Sequence, residues 1–336
     1  MVTIYDVAKR AGVSKTLVSR VLNNQSGVSP ESRSRITEAM KELHYKPNTL
    51  ARSLVLQRTN VVGVILDSLT EQYFFDVIRG VEDTVKENHF RVIFCSGRND
   101  RGEKENYIDF FSNGATDGAI IYGSALDDAD LIRKRAEMEF PFVVVENEVE
   151  DANVNNVLVD NTYGSKLAVD HLVEKGCRRI LHVTGAKGTK ASLRRWQGYL
   201  AAMEQQGLAE YISVVECDEF GVDEGYKAVK TWLAEHCRED LPDAIYFGAD
   251  NTAFGGMIAL EEAGIQIPEQ IKIVGFDDDK PWGVEKKLKK LTTIRQSLYE
   301  VGAKAVQVLL RQIQNPETQR QKIVIKPELV IRETTE

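Results

Sequence analysis

The feature that most restricts the fold of this 336-residue chain is a regular alternation of short apolar runs with amphipathic segments, from near residue 60 to the C-terminus. The runs have the length and β-branched composition of buried strands, and the segments between them repeat apolar residues at the helical period. Strands are predicted at 61–66, 91–96, 117–122, 142–146, 179–184, 212–215, 244–247, 271–275, 322–325 and 329–331, and helices at 75–88, 103–112, 164–175, 192–206, 223–235, 252–264 and 298–314. Strands that alternate with helices form parallel sheets through right-handed crossovers. The length of the series predicts two successive doubly wound sheets, and hence two lobes with a cleft between them.

Residues 3–23 have a different pattern, which predicts two short helices joined by a tight turn. The apolar positions at helical spacing are Ile4, Val7, Ala8 and Ala11 in the first helix and Leu17, Val18, Val21 and Leu22 in the second. Gly12 permits the turn, and Ser14 is a favourable N-cap for the second helix. Such a pair is typical of a helix-turn-helix, whose second helix enters the DNA major groove. A helical hairpin with a solvated polar face is the alternative.

Two further observations favour DNA binding. A third helix is predicted directly after this pair, with Ser29 as its cap and Pro30 at its first position. Residues 1–60 contain ten Lys or Arg against four Asp or Glu, whereas the remaining 276 residues contain 33 against 47. The positive charge is therefore confined to the N-terminal module, as expected of a phosphate-contacting surface in an otherwise acidic protein.

Composition and motifs exclude several other classes of protein. No stretch approaches the ~18 apolar residues of a membrane span, and no signal-peptide pattern precedes the first helix, so we expect a cytoplasmic protein without membrane contact. The four cysteines are scattered and no histidines cluster, so neither a disulfide framework nor a metal site is predicted. The sequence lacks the glycine-rich phosphate motifs of nucleotide-dependent enzymes and the nucleophile elbow of hydrolases. We therefore predict no cofactor and no enzymatic activity.

The segment 48–59 connects the two regions. Pro47 interrupts the preceding helix, and Asn48 can cap a short helix from Thr49 to Leu56. Its few apolar residues are insufficient to stabilise so short a helix in isolation, which indicates that it needs a partner. A simple linker between domains is the alternative.

Three motifs in this order carry a resemblance to a known family. They are Asp-Val-Ala-x-x-Ala-Gly-Val-Ser at 6–14, Val-Ser-Arg-Val-Leu-Asn at 18–23 and Tyr-x-Pro-Asn-x-Leu-Ala-Arg-Ser-Leu at 45–54. In these motifs and their spacing the sequence resembles the LacI/GalR family of bacterial transcriptional regulators. The resemblance implies a helix-turn-helix headpiece at 1–47, a hinge helix and linker at 48–59, and a two-lobed core like that of periplasmic binding proteins. It places 60–161 with 292–321 in the first lobe and 162–291 with 322–336 in the second.

The resemblance also implies a homodimer that binds palindromic operator DNA as a repressor. Lys15, Thr16 and Arg20 are predicted to reach base edges in the major groove. Paired hinge helices are implied to enter the minor groove, where Leu54 opens the central base step. The other predicted DNA contacts are Thr3, Tyr5, Ser14, Ser19, Asn23, Asn48, Ala51 and Arg52.

The predicted effector site follows from the rule that ligands of open α/β sheets bind beyond the carboxyl ends of the strands. The loops there carry aromatic rings beside carboxylate, amide and guanidinium groups, a mixture that suits a polyhydroxylated molecule such as a sugar. Each residue taken singly is equally compatible with a role in the core or as a helix cap. Combined with the resemblance, the predicted effector-binding residues are Tyr73, Phe74, Tyr122, Asn147, Asp160, Asn161, Arg195, Phe220, Asp250, Asp277 and Gln296.

The sequence departs from the family pattern at three places. Glu71-Gln72 replaces the usual Asn-Pro, Leu193 stands where many members have a second arginine, and Asp250-Asn251 inverts the common Asn-Asp. We therefore expect a carboxylate, at Asp250, where an amide usually contacts the ligand, and an effector that is not strongly anionic.

The predicted function is effector-controlled repression of a sugar or other carbon-utilisation operon. Two alternatives remain open at this point. One is a global carbon-catabolite regulator with a phosphoprotein corepressor, and the other is a two-lobed sugar-binding protein without a regulatory role.

Overall fold

The computed structural model describes residues 2–23, 25–46, 58–98, 100–123, 125–280 and 288–336. The chain divides into two compact units, Met1–Thr59 and Asn60–Glu336. Among the described residues, no helix is both long and apolar enough to cross a membrane. The predicted minor-groove contacts Asn48, Ala51, Arg52 and Leu54 lie outside the described residues.

The N-terminal unit contains the three predicted helices, α1 (Ile4–Ala11), α2 (Lys15–Leu22) and α3 (Pro30–Glu42). They enclose a small apolar core of Val7, Ala8, Ala11, Val18, Val21, Ile36 and Ala39. Gly12 ends α1 with a φ of 61°, and the Ser14 hydroxyl accepts a hydrogen bond from the N–H of Leu17 at 3.2 Å. The guanidinium of Arg35 on α3 donates to the carbonyls of Ala11 and Gly12, which fixes the turn between α1 and α2.

The first lobe is built on a six-stranded sheet. Its elements in chain order are β1 (Val61–Leu66), α4 (Tyr73–Glu87), β2 (Arg91–Ser96), α5 (Arg101–Phe110), β3 (Gly118–Tyr122), α6 (Asp128–Ala136), β4 (Phe142–Val145), β5 (Asn155–Val159), α11 (Leu298–Gln314) and β11 (Lys322–Ile325). The strand order is β11-β5-β4-β3-β1-β2, and all neighbouring pairs are parallel. Helix α11 completes the core of this lobe.

The second lobe repeats the architecture. Its elements are α7 (Asn161–Glu174), β6 (Ile180–Ala186), α8 (Lys190–Gln205), β7 (Ser213–Cys217), α9 (Val222–Glu235), β8 (Ala244–Phe247), α10 (Asp250–Glu262), β9 (Lys272–Asp277), β10 (Thr292–Arg295) and β12 (Glu328–Val330). The strand order is β12-β10-β9-β8-β6-β7, with β12 alone antiparallel to its neighbour. The prediction of two lobes built on parallel sheets is confirmed.

The predicted lobe boundaries near the C-terminus are wrong. Strand β10 pairs with β9 of the second lobe, and β11 pairs with β5 of the first. Segment 292–295 therefore belongs to the second lobe and 322–325 to the first, the reverse of the prediction. The chain crosses between the lobes at Asp160, at 296–297 and at 326–327, and these three crossings form the hinge.

Two glycines allow α4 and α11 to pack with their backbones in contact. A Cβ atom on Gly80 would lie 2.1 Å from the carbonyl oxygen of Tyr299, and one on Gly302 would lie 2.2 Å from the carbonyl oxygen of Val77. Neither position has space for a side chain, so the approach of the two helices depends on glycine at both.

Candidate functional site

The exposed surface of α2 carries the predicted major-groove residues. Lys15, Thr16 and Arg20 are all exposed, whereas Val18 and Val21 of the same helix are buried. The amino group of Lys15 lies 3.2 Å from the hydroxyl oxygen of Tyr5 and 4.7 Å from the centre of its ring. Long cationic and hydroxyl side chains thus share one surface, as contact with base edges and phosphates requires.

The remaining headpiece residues that we predicted to contact DNA form hydrogen bonds within the headpiece itself. Thr3 caps α1, and both its N–H and its hydroxyl bond the carboxylate of Asp6, at 2.8 and 2.7 Å. These hydrogen bonds, first of all that of the backbone N–H, lower the pKa of Asp6. Ser19 and Asn23 are half-buried, and the amide of Asn23 donates to the Ser19 hydroxyl at 3.4 Å. Ser14 is exposed, so its hydroxyl hydrogen can reach a phosphate while its oxygen caps α2.

A cavity of about 130 Å³ lies between the two lobes at the carboxyl ends of their strands, far more space than a single water molecule needs. Six of the predicted effector-binding residues line it: Tyr73, Phe74, Tyr122, Arg195, Phe220 and Asp277. The rings of Tyr73, Phe74 and Tyr122 pack edge to face, and the hydroxyls of Tyr73 and Tyr122 lie 2.6 Å apart. The cavity therefore has one rigid aromatic wall from the first lobe.

Arg195 is the cation of the cavity, and its guanidinium is held on several sides. Nε donates to the side-chain oxygen of Asn161 at 2.8 Å, Nη1 to the carbonyl of Gly248 at 2.5 Å, and Nη2 lies 3.2 Å from Oδ1 of Asp277. The guanidinium carbon is 3.8 Å from the centre of the Phe276 ring. Since only 2% of Arg195 is exposed, the cation is pre-oriented before any ligand arrives.

Carboxylates surround this cation and are strongly affected by burial. Burial raises the pKa of Glu146 to about 7 and that of Asp277 to about 6, although Arg195 opposes both shifts. Burial, together with the charges of Asp277 and Asp278, raises the pKa of Asp279 to about 7. The backbone of Glu146 and Asp277 is strained as well, with φ angles of 61° and 116°. Strained backbone of this kind concentrates at ligand sites.

Comparison with known proteins agrees with this arrangement. Residues 3–48 match the family described as "Bacterial regulatory proteins, lacI family", and residues 169–335 match the "Periplasmic binding protein-like domain". The ribose operon repressor of Halalkalibacterium halodurans is 32% identical over 335 residues, which cover 100% of this chain and 97% of that protein. The repressor PurR of Edwardsiella ictaluri is 31% identical over 99% of this chain and 96% of its own.

The chain belongs to the LacI family.

The fold comparison covers the same span. The lac repressor dimer bound to operator and the anti-inducer ONPF superposes with a TM-score of 0.87, at 26% identity and over 99% of both chains. Membership of the LacI family makes this protein a DNA-binding transcriptional regulator. The two relatives compared above are repressors rather than enzymes.

Five residues that we predicted to bind the effector do not line the cavity of this LacI-family protein. Asp160 caps α7 through the N–H of Tyr163, and Asn161 bridges Glu146 and Arg195. Asn147 donates to the carbonyl of Ala125, and Gln296 donates to Asp277 at 2.6 Å. Four of the five thus support the wall of the cavity or the hinge and do not face the ligand space.

The fifth residue is Asp250, and its position contradicts the prediction that the inverted pair Asp250-Asn251 directs a carboxylate to the ligand. Asp250 is fully buried, and its carboxylate accepts hydrogen bonds from the Thr293 hydroxyl at 2.7 Å and from the N–H of Asp279 at 2.8 Å. Burial raises its pKa well above the usual range. Asn251, the next residue, lines the cavity instead, so an amide and not the carboxylate of Asp250 faces the cavity.

Four acidic residues of the cavity were absent from the predicted set: Asp67, Glu71, Glu146 and Asp279. Asp67 and Glu71 lie in the loop after β1, and Glu146 directly follows β4. The rule that ligands bind beyond the strand ends covers all three positions, but nothing in the sequence distinguished them from other acidic loop residues.

Proposed function

We propose that this protein is a cytoplasmic, homodimeric repressor whose affinity for a palindromic operator changes when a sugar binds between the lobes of its core. The observation that carries the proposal is the cavity between the lobes, whose aromatic wall comes from the first lobe, whose arginine comes from the second and whose carboxylates come from both. Rings beside pre-oriented polar groups are what a polyhydroxylated ligand needs, because its C–H faces and its hydroxyls require different partners.

The position of the cavity supports control by lobe movement. The lobes meet across its mouth, where the N–H of Leu126 donates to the carbonyl of Gly188 at 2.8 Å and Ala125 forms a bridge with Thr189. Asn147, which donates to Ala125 at 2.8 Å, holds the first-lobe side of this contact. A ligand that binds both lobes favours this closed arrangement by its differential affinity for it.

The hinge lies directly behind the cavity. Asn161 and Gln296, at two of the three crossings, donate to Glu146 and Asp277, two carboxylates of the cavity wall. A ligand that contacts these carboxylates therefore changes the forces on the hinge and with them the angle between the lobes. We expect coupling between effector and operator of about 1–3 kcal/mol, as is usual for allosteric sites.

To test the proposal, the purified full-length protein is mixed with a pool of DNA duplexes of random sequence, and the duplexes that it binds are recovered and sequenced. We expect enrichment of a palindromic sequence, followed by a change of at least fivefold in its affinity, measured by fluorescence anisotropy, with a sugar found in a thermal-shift screen. No preference for any duplex over random DNA at moderate salt contradicts the proposal.

A further inference from the structure

The cavity contains more negative charge than its own residues neutralise. Five carboxylates line it, those of Asp67, Glu71, Glu146, Asp277 and Asp279. Asp67 is paired with the buried amino group of Lys104 at 2.8 Å, and Asp277 with Arg195 at 3.2 Å. Among the described residues no lysine or arginine forms an ion pair with the other three. From the described part of the chain, Glu146 accepts hydrogen bonds from two neutral donors, the N–H of Val159 and the amide of Asn161.

These uncompensated carboxylates come from both lobes. Glu71 and Glu146 belong to the first lobe, and Asp279 lies two residues after the end of β9 in the second. Glu71 and Asp279 are within electrostatic reach, because the charge of Glu71 contributes to the raised pKa of Asp279. When the lobes close and exclude water, like charges on opposite walls repel more strongly. Closure is therefore unfavourable unless the ligand supplies positive charge or the carboxylates take up protons.

We propose that the effector is a sugar with a protonated amino group, held between Glu71 of the first lobe and Asp279 of the second. This inference rests on the proposed function, since it takes the cavity as the effector site. An ammonium group supplies three donors and a charge, and it joins the two acidic walls. The rings of Tyr73 and Phe220, which line the same cavity, are favourable neighbours for a cation.

Two other classes of ligand fit the cavity less well. An anionic ligand, such as a sugar phosphate or a sugar acid, meets three unpaired carboxylates and one arginine that is already bound to Asp277. A metal ion is not favoured, because no group of three His, Cys, Asp or Glu side chains in the described part of the chain is placed to hold one. An organic cation with hydroxyl groups satisfies both the charge and the aromatic wall.

The proposal is tested by isothermal titration of the full-length protein at neutral pH with glucosamine, galactosamine and mannosamine. Each amino sugar is compared with its parent hexose, which has a hydroxyl in place of the amine, and with its N-acetyl form, which keeps the nitrogen without the charge. We expect at least one amino sugar to bind roughly tenfold or more tightly than both of its uncharged counterparts, the usual effect of a charged hydrogen bond.

Variants of Glu71 and Asp279 test whether the amino group of the sugar binds between these two carboxylates. Glu71→Gln and Asp279→Asn remove one charge each with little change in shape, and we expect each to weaken amino-sugar binding roughly tenfold. Glu210→Gln is the matched control, because Glu210 is exposed on the second lobe and does not line the cavity. It is expected to bind the amino sugar as the unaltered protein does.

The possible outcomes separate this inference from the proposed function. Binding of an uncharged hexose as tight as that of its amino counterpart, or no binding of any of the three amino sugars, overturns the inference. If an uncharged sugar also changes the affinity for the selected operator, the proposed function stands without the amine. If no operator can be selected at all, the proposed function fails, whatever the titration shows.

Discussion

The side-chain oxygen of Asn161 accepts a hydrogen bond from Nε of Arg195 at 2.8 Å, which joins the hinge to the cation of the cavity. The amide nitrogen of the same residue donates to Glu146 of the first lobe at 3.2 Å. The side chain of Asn161, at a crossing between the lobes, thus connects Glu146 of the first lobe with Arg195 of the second. The ion pair between Arg195 and Asp277 extends this series of contacts to β9.

Replacement of Asn161 is expected to destabilise the core. Asn161→Leu leaves the Nε donor of Arg195 and one oxygen of Glu146 without these partners in a buried site, at a cost of about 1–3 kcal/mol for each lost partner. The free energy of unfolding, measured by urea denaturation, should fall by that order. In the control Asn88→Ala, an exposed residue at the end of α4 loses the hydrogen bond that its amide donates to the carbonyl of Thr84, and a cost of less than about 1 kcal/mol is expected. Equal effects of the two substitutions would contradict the bridging role.

The strands that could be predicted from the sequence are those whose apolar pattern is visible within a single segment of the chain. Buried parallel strands are continuous apolar runs, and the buried strands β1 and β8 have the predicted bounds. The edge strands β2 and β11 have the predicted bounds as well, although they are only partly buried. Strands β5 and β10 were missed because they begin with polar residues, Asn155-Asn156 and Thr292-Thr293, which are nevertheless buried. Their partners are distant in the chain: Asn155 donates to Gln312, and the hydroxyl of Thr292 is 2.9 Å from that of Thr335. Such pairing cannot be read from a local window.

The same limit applies to the cavity. Position at the carboxyl end of a strand was sufficient to predict Tyr122 and Asp277, which are the last residues of β3 and β9. It could not separate Asp250 from Asn251, since consecutive residues at the start of a helix point about 100° apart. Nor could it place Gln296, whose role depends on the crossing between the lobes and on its hydrogen bond to Asp277.

Asp279 is expected to make the stability of the core depend on pH. Its pKa is about 7 in the folded protein, whereas an unfolded aspartate has the ordinary value near 4. Between these values the folded state binds the extra proton, so the contribution of this residue to stability falls as pH rises from about 4 to about 7. Asp279→Asn has no such proton to lose, and it should be about 1–3 kcal/mol more stable than the unaltered protein at pH 8, with little difference at pH 4.5.

Urea denaturation of both proteins across this range measures the difference. Only the difference is informative, because other buried groups titrate in the same window; burial lowers the pKa of His182 to about 4, for example, and that contribution acts in the opposite direction. A constant difference at all pH values would show that Asp279 does not titrate in this window.

The contact between α4 and α11 should not tolerate a methyl group. In Gly302→Ala the new Cβ would lie 2.2 Å from the carbonyl oxygen of Val77, so the two helices must separate. We expect a loss of about 1–3 kcal/mol or more in the free energy of unfolding, the usual range for overpacking. Gly221→Ala is the matched control, because its nearest neighbour would be 4.0 Å away, and it should cost less than about 1 kcal/mol. A melting temperature unchanged by Gly302→Ala would rule out the tight contact.

Arg20 on the exposed face of α2 is expected to distinguish between DNA sequences rather than to add general affinity. A guanidinium that bonds two acceptors of a guanine contributes about 1–3 kcal/mol of discrimination, whereas contacts to phosphates act on all duplexes alike. Arg20→Ala should therefore weaken binding to the selected operator by that amount and leave binding to random DNA nearly unchanged. Lys41→Ala on α3 is the control, since it removes the same charge from an exposed residue outside α2 and should not alter the ratio of the two affinities. Fluorescence anisotropy at one fixed salt concentration measures both affinities, and equal weakening on operator and random DNA by Arg20→Ala would assign Arg20 to the phosphate backbone instead of a base.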